Sequence, residues 1–423
     1  VGVRFSTDIV RQPAKSNSEK NPTDNRIRLQ KMSIREDSTT TMSLPQAKPT
    51  ALGIYCHIPF CASTCDFCAF YQEAPKRGEI DRYLAGMLRE FSQLPEQCPA
   101  DTIFWGGGTP GLLPASDLYT LGKALRDQLA CDPLEWTVEM APSTVKADKL
   151  AALRDLGVTR ISMGVQSFDE STLTKLGRLH RPKQIFTAWE RIQAAGFPHV
   201  NIDLMFAIPG QTEAQWLNDI RQAIALGPDH LSTYCLTFEE DTRLYLKLAR
   251  GEIRRSEEQE VALLEAGWQA LAEGGFAQYE ISNFARPGGA CLHNVNTWRM
   301  AEWIGCGPSA ASQYGGRRYQ HPSDLTQWLE QTETTAPPAD CVLLDDQQLA
   351  TDALVFGLRM NEGVDLTELD KRFPKAKPSQ LFDPILSDLE SEGYLIRNAS
   401  EVRLTHSGRL VCDAIGASLL GNE

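Results

Sequence analysis

From about residue 53 onward, short apolar runs alternate with longer amphipathic ones. The ordered pattern begins at Gly53-Ile54-Tyr55-Cys56-His57-Ile58. Further strand candidates are Thr102 to Trp105, Glu135 to Glu139, Arg160 to Val165, Val200 to Met205 and His230 to Tyr234. Between them, Ile80 to Ser92, Lys146 to Leu156, Lys183 to Ala195 and Glu213 to Ala225 carry helical periodicity. Strand and helix alternating at this spacing predict βαβ units and a parallel sheet. Several candidate strands end in glycine or polar residues: Gly106-Gly107-Gly108-Thr109, Glu139, Gln166-Ser167 and Asp203. In a (β/α) barrel such ends face one mouth, where their side chains converge. The expected fold class is therefore α/β, a partial (β/α)6 TIM-like barrel.

Both ends of the chain break this pattern. Residues 1 to 48 are polar, rich in Ser, Thr, Asn and Lys, and without period, which reads as a disordered extension that need not be native. Met42 is a plausible start. The segment is mildly basic like a transit peptide, but Asp8, Glu19, Asp24, Glu36 and Asp37 count against one. At 335 to 340, Thr-Ala-Pro-Pro-Ala-Asp reads as a linker. Beyond it come three short helices, a strand-turn-strand pair at Gly393 to Ile396 and Val402 to Thr405, and a last helix from Ser407. That order is winged-helix-like, an α+β domain. The expected organisation is 1–48 extension, 49–335 barrel domain and 336–423 winged-helix-like domain. Acids outnumber bases in this tail, which favours a structural or protein-binding role over DNA.

The 423 residues, 42% of them hydrophobic, can bury a large core. A formal net charge of −13 argues against nucleic acid as partner, since phosphate neutralisation needs clustered Lys and Arg. No run approaches the roughly 20 apolar residues that span a bilayer, and no secretory h-region is present. The expectation is a cytoplasmic protein that does not cross a membrane.

Eleven cysteines, an odd number in a long chain without an export signal, read as reduced thiols. Cys98, Cys131, Cys235, Cys306, Cys341 and Cys412 are scattered singly and read as small core hydrophobes. Cys56 and Cys291 lie near motifs but outside any ligand spacing. Cys61-Ala-Ser-Thr-Cys65-Asp-Phe-Cys68 is different. Three thiolates at Cys-x3-Cys-x2-Cys in a short loop after a strand can hold three irons of a 4Fe-4S cubane and leave the fourth open. An open iron can chelate the amino and carboxylate groups of S-adenosylmethionine (SAM), where one electron cleaves a carbon-sulfur bond. Zinc would need a fourth ligand nearby, and His57 is the only other candidate.

Tyr55-Cys56-His57-Ile58-Pro59-Phe60-Cys61, the triad, and Trp105-Gly106-Gly107-Gly108-Thr109-Pro110 together resemble one branch of the radical SAM proteins. That branch contains oxygen-independent coproporphyrinogen III oxidase and the heme chaperone HemW, and the resemblance runs from about residue 52 to the C-terminus. It implies a radical SAM barrel with Cys61, Cys65 and Cys68 on the cluster. It also implies SAM contacts from Tyr55, Phe67, Gly107, Gly108, Thr109, Glu139, Gln166, Arg178 and Asp203. The glycines would let backbone amides approach the SAM amino group, and Glu139 would bond the ribose. The Asn-Pro expected after Glu139 is Ala141-Pro142 here. One by one these residues also read as ordinary strand-end and cap polarity; as an ordered set they point to SAM.

Farther on, Tyr279 to Ala285 and Cys291-Leu292-His293-Asn294-Val295-Asn296-Thr297-Trp298 resemble a heme-linked pattern of the branch, with Thr297 in place of a Tyr. His293 is either a ligand to the iron of heme b or a hydrogen-bonded structural histidine. In Gly305-Cys306-Gly307-Pro308-Ser309-Ala310-Ala311-Ser312, Ala311 replaces a His. Two departures separate carrier from oxidase. The oxidase has a fourth cysteine two residues past the triad, where this chain has Phe70, and an N-terminal Arg-Tyr-Thr-Ser-Tyr-Pro element that residues 1 to 50 lack. The resemblance thus implies a heme carrier that serves membrane respiratory hemoproteins, peripheral at the membrane during delivery. If SAM is cleaved, an electron donor such as flavodoxin or ferredoxin is implied. The alternative is an oxidase that decarboxylates coproporphyrinogen III to protoporphyrinogen IX.

Overall fold

The computed structural model of the chain describes Leu44, residues 51–334 and residues 340–421. The expected extension, with Met42, lies outside the described residues except for Leu44, and the expected linker except for Asp340. Leu44 packs against a cluster that includes Tyr279, Val295 and Trp298.

The strands and helices anticipated from periodicity form, most with slightly longer bounds. β1 (Leu52–Ile58), α1 (Glu79–Ser92), β2 (Thr102–Gly107), α2 (Ala115–Arg126), β3 (Glu135–Met140) and α3 (Ala147–Asp155) are followed by β4 (Arg160–Gln166). After α4 (Glu170–Lys175) and α5 (Pro182–Ala195) come β5 (His199–Phe206), α6 (Glu213–Leu226) and β6 (His230–Cys235). The helix ends were legible because their caps are. α5 has Pro182 at its first turn and Gly196 at φ 68° after its last; α6 opens on a Thr212–Gln215 capping box and closes on Gly227 at φ 77°.

β1 to β6 lie side by side in chain order, all parallel. In β1, Ile54, Cys56 and Ile58 are fully buried in the layer between sheet and helices, as are Ile103 and Trp105 of β2. The alternate residues, Gly53, Tyr55, His57, Thr102, Phe104 and Gly106, face the concave interior, because side chains on a strand alternate. Trp105 and Trp136 meet edge to face at 5.3 Å in the outer layer.

The sheet does not stop at six strands. After α7 (Arg243–Ala249) and α8 (Glu257–Glu273), β7 (Ala277–Glu280) and β8 (Asn283–Ala285) add antiparallel beyond β6. α9 (Leu292–Trp298) then crosses to the other edge, where β9 (Glu302–Cys306) runs parallel to β1. β10 (Ala311–Tyr314) and β11 (Arg317–Gln320) follow, then α10 (Leu325–Thr332) and β12 (Val342–Leu343), which makes twelve strands. Because β12 pairs with β11, the main sheet reaches past residue 335.

The remaining elements are α11 (Asp346–Gly357), β13 (Val364–Asp365), α12 (Leu366–Arg372), α13 (Pro378–Leu381), α14 (Asp383–Ser391), β14 (Leu395–Asn398), β15 (Glu401–Leu404), α15 (His406–Leu410) and α16 (Cys412–Leu420). They surround a second core that includes Leu354, Leu386 and Val402. Its sheet has three strands, β13-β15-β14, because a two-residue strand too short to show in the sequence joins the expected pair. This module docks on the barrel through the segment of Tyr279 to Met300. Arg359 pairs with buried Glu280 at 3.0 Å and lies 4.9 Å over the Trp298 ring; Arg299 pairs with Glu362 at 2.8 Å.

Candidate functional site

The cysteine loop leaves β1 and returns to it. Cys61 donates its amide to the Glu73 carbonyl (2.9 Å), and the Glu73 amide donates to Pro59 (2.8 Å). Its tip is held on two sides: the Asp66 amide donates to Leu176, and the Asp66 carbonyl accepts from Leu244. The Asp66 carboxylate takes Lys247 at 2.9 Å and Arg243 at 3.6 Å. Gly177, at φ +70°, lets the loop come close, since a Cβ there would sit 2.9 Å from the Asp66 carboxylate. In the sequence Asp66 is marked only by its place inside the triad.

All eleven cysteines are free thiols. Cys61, Cys65 and Cys68 are half-buried, and the Sγ of Cys61 lies 3.5 Å from the Thr109 hydroxyl. Arg178 donates to the Cys65 sulfur at 3.4 Å and to the Gly164 carbonyl at 2.6 Å, which places one guanidinium across the loop and the end of β4. Burial, followed by repulsion from Cys65 and Cys61, pushes the Cys68 thiol up to about 11; burial also raises Cys61. Three mutually repelling soft donors on one loop fit a polynuclear iron-sulfur centre, which binds thiolates and relieves that repulsion. Among the described residues, no three His, Cys, Asp or Glu converge on a point that could hold a single metal ion. His57, the candidate fourth zinc ligand, has both ring nitrogens engaged: Nε2 donates to the Tyr71 carbonyl (3.0 Å) and Nδ1 accepts from the Tyr55 hydroxyl (3.1 Å). Burial lowers its pKa to about 4. Of the single cysteines, Cys131 is exposed, not a core residue, because it sits in the turn after α2.

The glycine run is set by close approach. A Cβ on Gly107 (φ +99°) would lie 2.4 Å from the His57 ring; one on Gly106 would lie 2.8 Å from a Glu139 oxygen, and one on Gly108 2.7 Å from the Ile58 carbonyl. The amides of Gly108 and Thr109 are already spent on the carbonyls of Ile58 and Phe60, both at 2.8 Å. Those two amides therefore do not approach a ligand's amino group, contrary to the sequence expectation; an ammonium needs acceptors in any case.

At the same end of the barrel, a bulge turns Gln166 to φ 69°. Gln166 Nε2 and Arg178 Nη2 both lie over Gly164, 3.2 and 3.4 Å from where its Cβ would be. Asp203 is buried and accepts from Ser162 (3.0 Å) and Asn201 (2.8 Å). Burial, with Glu139 next, raises its carboxyl to about 6. Phe67 packs into an apolar cluster of Leu176, Met205, Ile208, Leu236 and Leu244. Tyr55 stacks on Phe104 at 6.3 Å. The structure thus gathers the expected cluster and SAM residues at the C-terminal ends of the strands, with Tyr55 one layer deeper.

His293 is the exception. It lies toward the opposite end of the barrel interior, beside Gly53 and Thr102 where β1 and β2 begin. Its Nδ1 lies 2.9 Å from the Thr102 hydroxyl, its ring is 5.2 Å from Phe104, and Gly53 leaves room for it. Burial lowers its pKa to about 4. Beneath it Glu135 accepts from the amides of Leu292 (3.1 Å) and His293 (3.0 Å), from the Cys291 thiol, and from Arg160 at 2.9 Å. Burial alone would raise the Glu135 carboxyl, but Arg160 and the two amides outweigh it and hold it below its ordinary value. This buried carboxylate seats α9 as the floor of the barrel. The pair Glu135 and Arg160 went unnoticed in the sequence, where each is only the first residue of a strand.

Comparison with known proteins gives the family and the fold. A model of the Radical SAM superfamily matches residues 55–223, and one of the HemN C-terminal domain matches residues 344–411. The heme chaperone HemW of Bacillus subtilis is 32% identical over 374 residues, 87% of this chain and 98% of that protein. The heme chaperone HemW of Escherichia coli is 40% identical over 266 residues, 61% of this chain and 69% of that one. Among solved structures, coproporphyrinogen III oxidase (HemN) from Escherichia coli superimposes with a TM-score of 0.76, covering 89% of this chain and 92% of that one; at 23% identity this likeness speaks for the fold.

Proposed function

The chain belongs to the family of the heme chaperone HemW, and on that premise we propose that it is a heme carrier with a cluster and SAM site at the barrel mouth. Phe70 carries the choice against the oxidase. It stands where the oxidase has a further cysteine, and it is 38% exposed at the edge of the cluster loop.

In this reading Cys61, Cys65 and Cys68 hold a 4Fe-4S cluster. When bound, the cluster would supply an open iron for the SAM methionyl group and one electron to its sulfonium. The protein's own part is placement. Arg178 offsets negative charge that thiolate ligation brings to Cys65, and also fixes the end of β4. Gly106 to Gly108 keep the wall free of side chains, while Glu139 and Asp203 offer carboxylates suited to ribose hydroxyls. Tyr55 and Phe67 supply ring faces, and Gln166 an amide. A small one-electron carrier such as flavodoxin or ferredoxin would reduce the cluster if SAM is cleaved.

Heme requires an apolar, partly open surface, and His293 does not present one. Its imidazole is 9% exposed and packed between Gly53 and Phe104. We assign it to the floor, so heme binding should survive its replacement. No helix among the described residues is long and apolar enough to cross a membrane. Delivery to membrane hemoproteins would then proceed by peripheral contact from the cytoplasm.

The test is anaerobic reconstitution of the full chain, followed by heme titration and assays for 5'-deoxyadenosine and for coproporphyrinogen III turnover. A retained Soret band without porphyrinogen turnover is expected, in the parent and in His293→Ala alike. Turnover to protoporphyrinogen IX would overturn the carrier reading, and loss of the Soret band in a folded His293→Ala would overturn the assignment to the floor.

A further inference from the structure

Tyr279 and His230 belong to no part of the site described so far, yet both feed into it. From Tyr279, at the seam with the C-terminal module, a line of buried polar groups runs through the barrel to Asp203. The Tyr279 hydroxyl lies 2.7 Å from His230 Nε2, and His230 Nδ1 lies 2.7 Å from Asn201 Oδ1. Asn201 Nδ2 donates to Asp203 Oδ1 and to the Ser162 hydroxyl, both at 2.8 Å, and Ser162 donates to Asp203 Oδ2 at 3.0 Å. All five residues are buried. Tyr279 is itself anchored by the module, because its carbonyl accepts from the Asn361 amide at 3.0 Å and its ring packs with Met360.

The direction of donation in this line is forced. An ionised carboxylate only accepts, so Asn201 turns its amino group to Asp203 and its oxygen to His230 and to the Ser232 hydroxyl, which donates at 3.3 Å. His230 Nδ1 must then carry the proton. Burial, with Arg160 next, keeps this imidazole neutral, so Nε2 is bare and needs a donor. Within the line only the Tyr279 hydroxyl meets it. Without that hydroxyl a proton on Nδ1 loses its advantage over one on Nε2, and in that second tautomer two acceptors, Nδ1 and the Asn201 oxygen, come face to face. The amide relieves this by flipping, and the flip points its oxygen at the carboxylate of Asp203.

We propose that Tyr279 and His230 are positioning residues for SAM binding, which lock the donor direction of this line so that Asn201 always offers its amino group to Asp203. The proposal rests on the reading of Asp203 as a SAM contact. The locked line also favours the ionised carboxylate against the burial that opposes it. The other titratable groups facing Asp203 are Glu139 from β3 and Tyr234 from β6, and neither is changed by substitution at Tyr279.

The experiment measures SAM affinity of the reconstituted full chain, together with the infrared titration of the Asp203 carboxyl in cluster-free protein. Asp203→Asn should weaken SAM about tenfold or more, since it removes a charged acceptor. Tyr279→Phe and His230→Leu should each weaken it about three- to tenfold, the worth of one buried neutral hydrogen bond. His230→Gln, which has a donor and an acceptor in sequence, should restore most of the affinity. Tyr279→Phe should also move the carboxyl titration to higher pH, and should add nothing in the Asp203→Asn background. If Asp203→Asn binds SAM like the parent, the contact itself is wrong. If Asp203→Asn weakens SAM but Tyr279→Phe does not, or weakens it equally in the Asp203→Asn background, the positioning role is wrong. Should His230→Leu fail to fold, Tyr279→Phe, which removes a single oxygen, decides alone.

Discussion

Glu135→Gln is the substitution that most directly tests the floor of the barrel. Glu135 and Arg160 have side chains 6% and 1% exposed, and their pairing at 2.9 Å is reinforced by the Leu292 and His293 amides. A neutral amide in place of the carboxylate leaves the Arg160 charge buried without compensation, which costs about 3–5 kcal/mol. Against a total stability of about 5–15 kcal/mol this is a large fraction. The exposed pair Lys123–Asp127, at 2.8 Å but with both side chains more than half exposed, provides the control. Asp127→Asn should cost no more than about 1 kcal/mol. Urea unfolding of cluster-free protein, followed by tryptophan fluorescence, measures both. A second arm replaces the pair together, Glu135→Leu with Arg160→Met, and should recover much of the loss because no lone charge remains. The folded carboxyl is held below its ordinary value, so its contribution is complete above the unfolded pKa and disappears only as pH falls through the lowered one. The gap between parent and Glu135→Gln should therefore persist at pH 5. A loss under about 1 kcal/mol for Glu135→Gln, or a double replacement as damaging as the single, would refute a charge-paired floor.

Other expectations concern the mouth. Gly107→Ala combines positive φ with a Cβ 2.4 Å from the His57 ring, so it should cost more than about 2 kcal/mol and disturb the cluster loop. Gly288→Ala, also at positive φ but with nothing within 4 Å of the added carbon, should cost only about 1 kcal/mol in the same unfolding assay. Asp66→Asn removes the charge that Lys247 and Arg243 grip, and should speed loss of the visible cluster absorbance in air several-fold, about 1 kcal/mol of loop docking; an unchanged decay would count against the clamp. Cys65→Ala should abolish that absorbance and Cys131→Ala should leave it intact. His57, His180 and His293 are lowered to about 4 and His230 further, so below their unfolded value near 6.5 the unfolded chain takes up protons that the folded chain refuses. Asp203 and Asp219, raised to about 6, and Glu90, raised by burial, act the other way, but with His199 also lowered by burial they are three groups against five. Cluster-free protein should unfold at lower urea at pH 5 than at pH 7.5, and a flat profile would refute the neutral buried histidines.

How far the sequence reached depends on whether a signal is local. Strands β1 to β6 and the helices between them were legible because periodicity and caps are properties of neighbouring residues, and Thr212 or Gly196 mark their ends without outside help. The cysteine triad was legible for the same reason: three thiolates within eight consecutive residues define their own loop. Short strands such as β7, β8 and β12 were not, since four, three and two residues carry no period and form only because a neighbouring strand is there to pair with. The same limit divides the functional residues. Cys61, Glu139, Gln166, Arg178 and Asp203 could be named in order, but that they meet at one mouth while His293 sits at the other end depends on strand direction and register. Likewise Glu135 beneath α9, Asp66 between two loops, and Tyr279 in line with Asp203 are set by partners 49 to 181 residues distant. Residue types and their spacing determined by themselves that this chain can hold a cluster. Only the tertiary structure decided which histidines and carboxylates stand beside that site and which hold the barrel shut, because burial and pairing arise when distant segments pack.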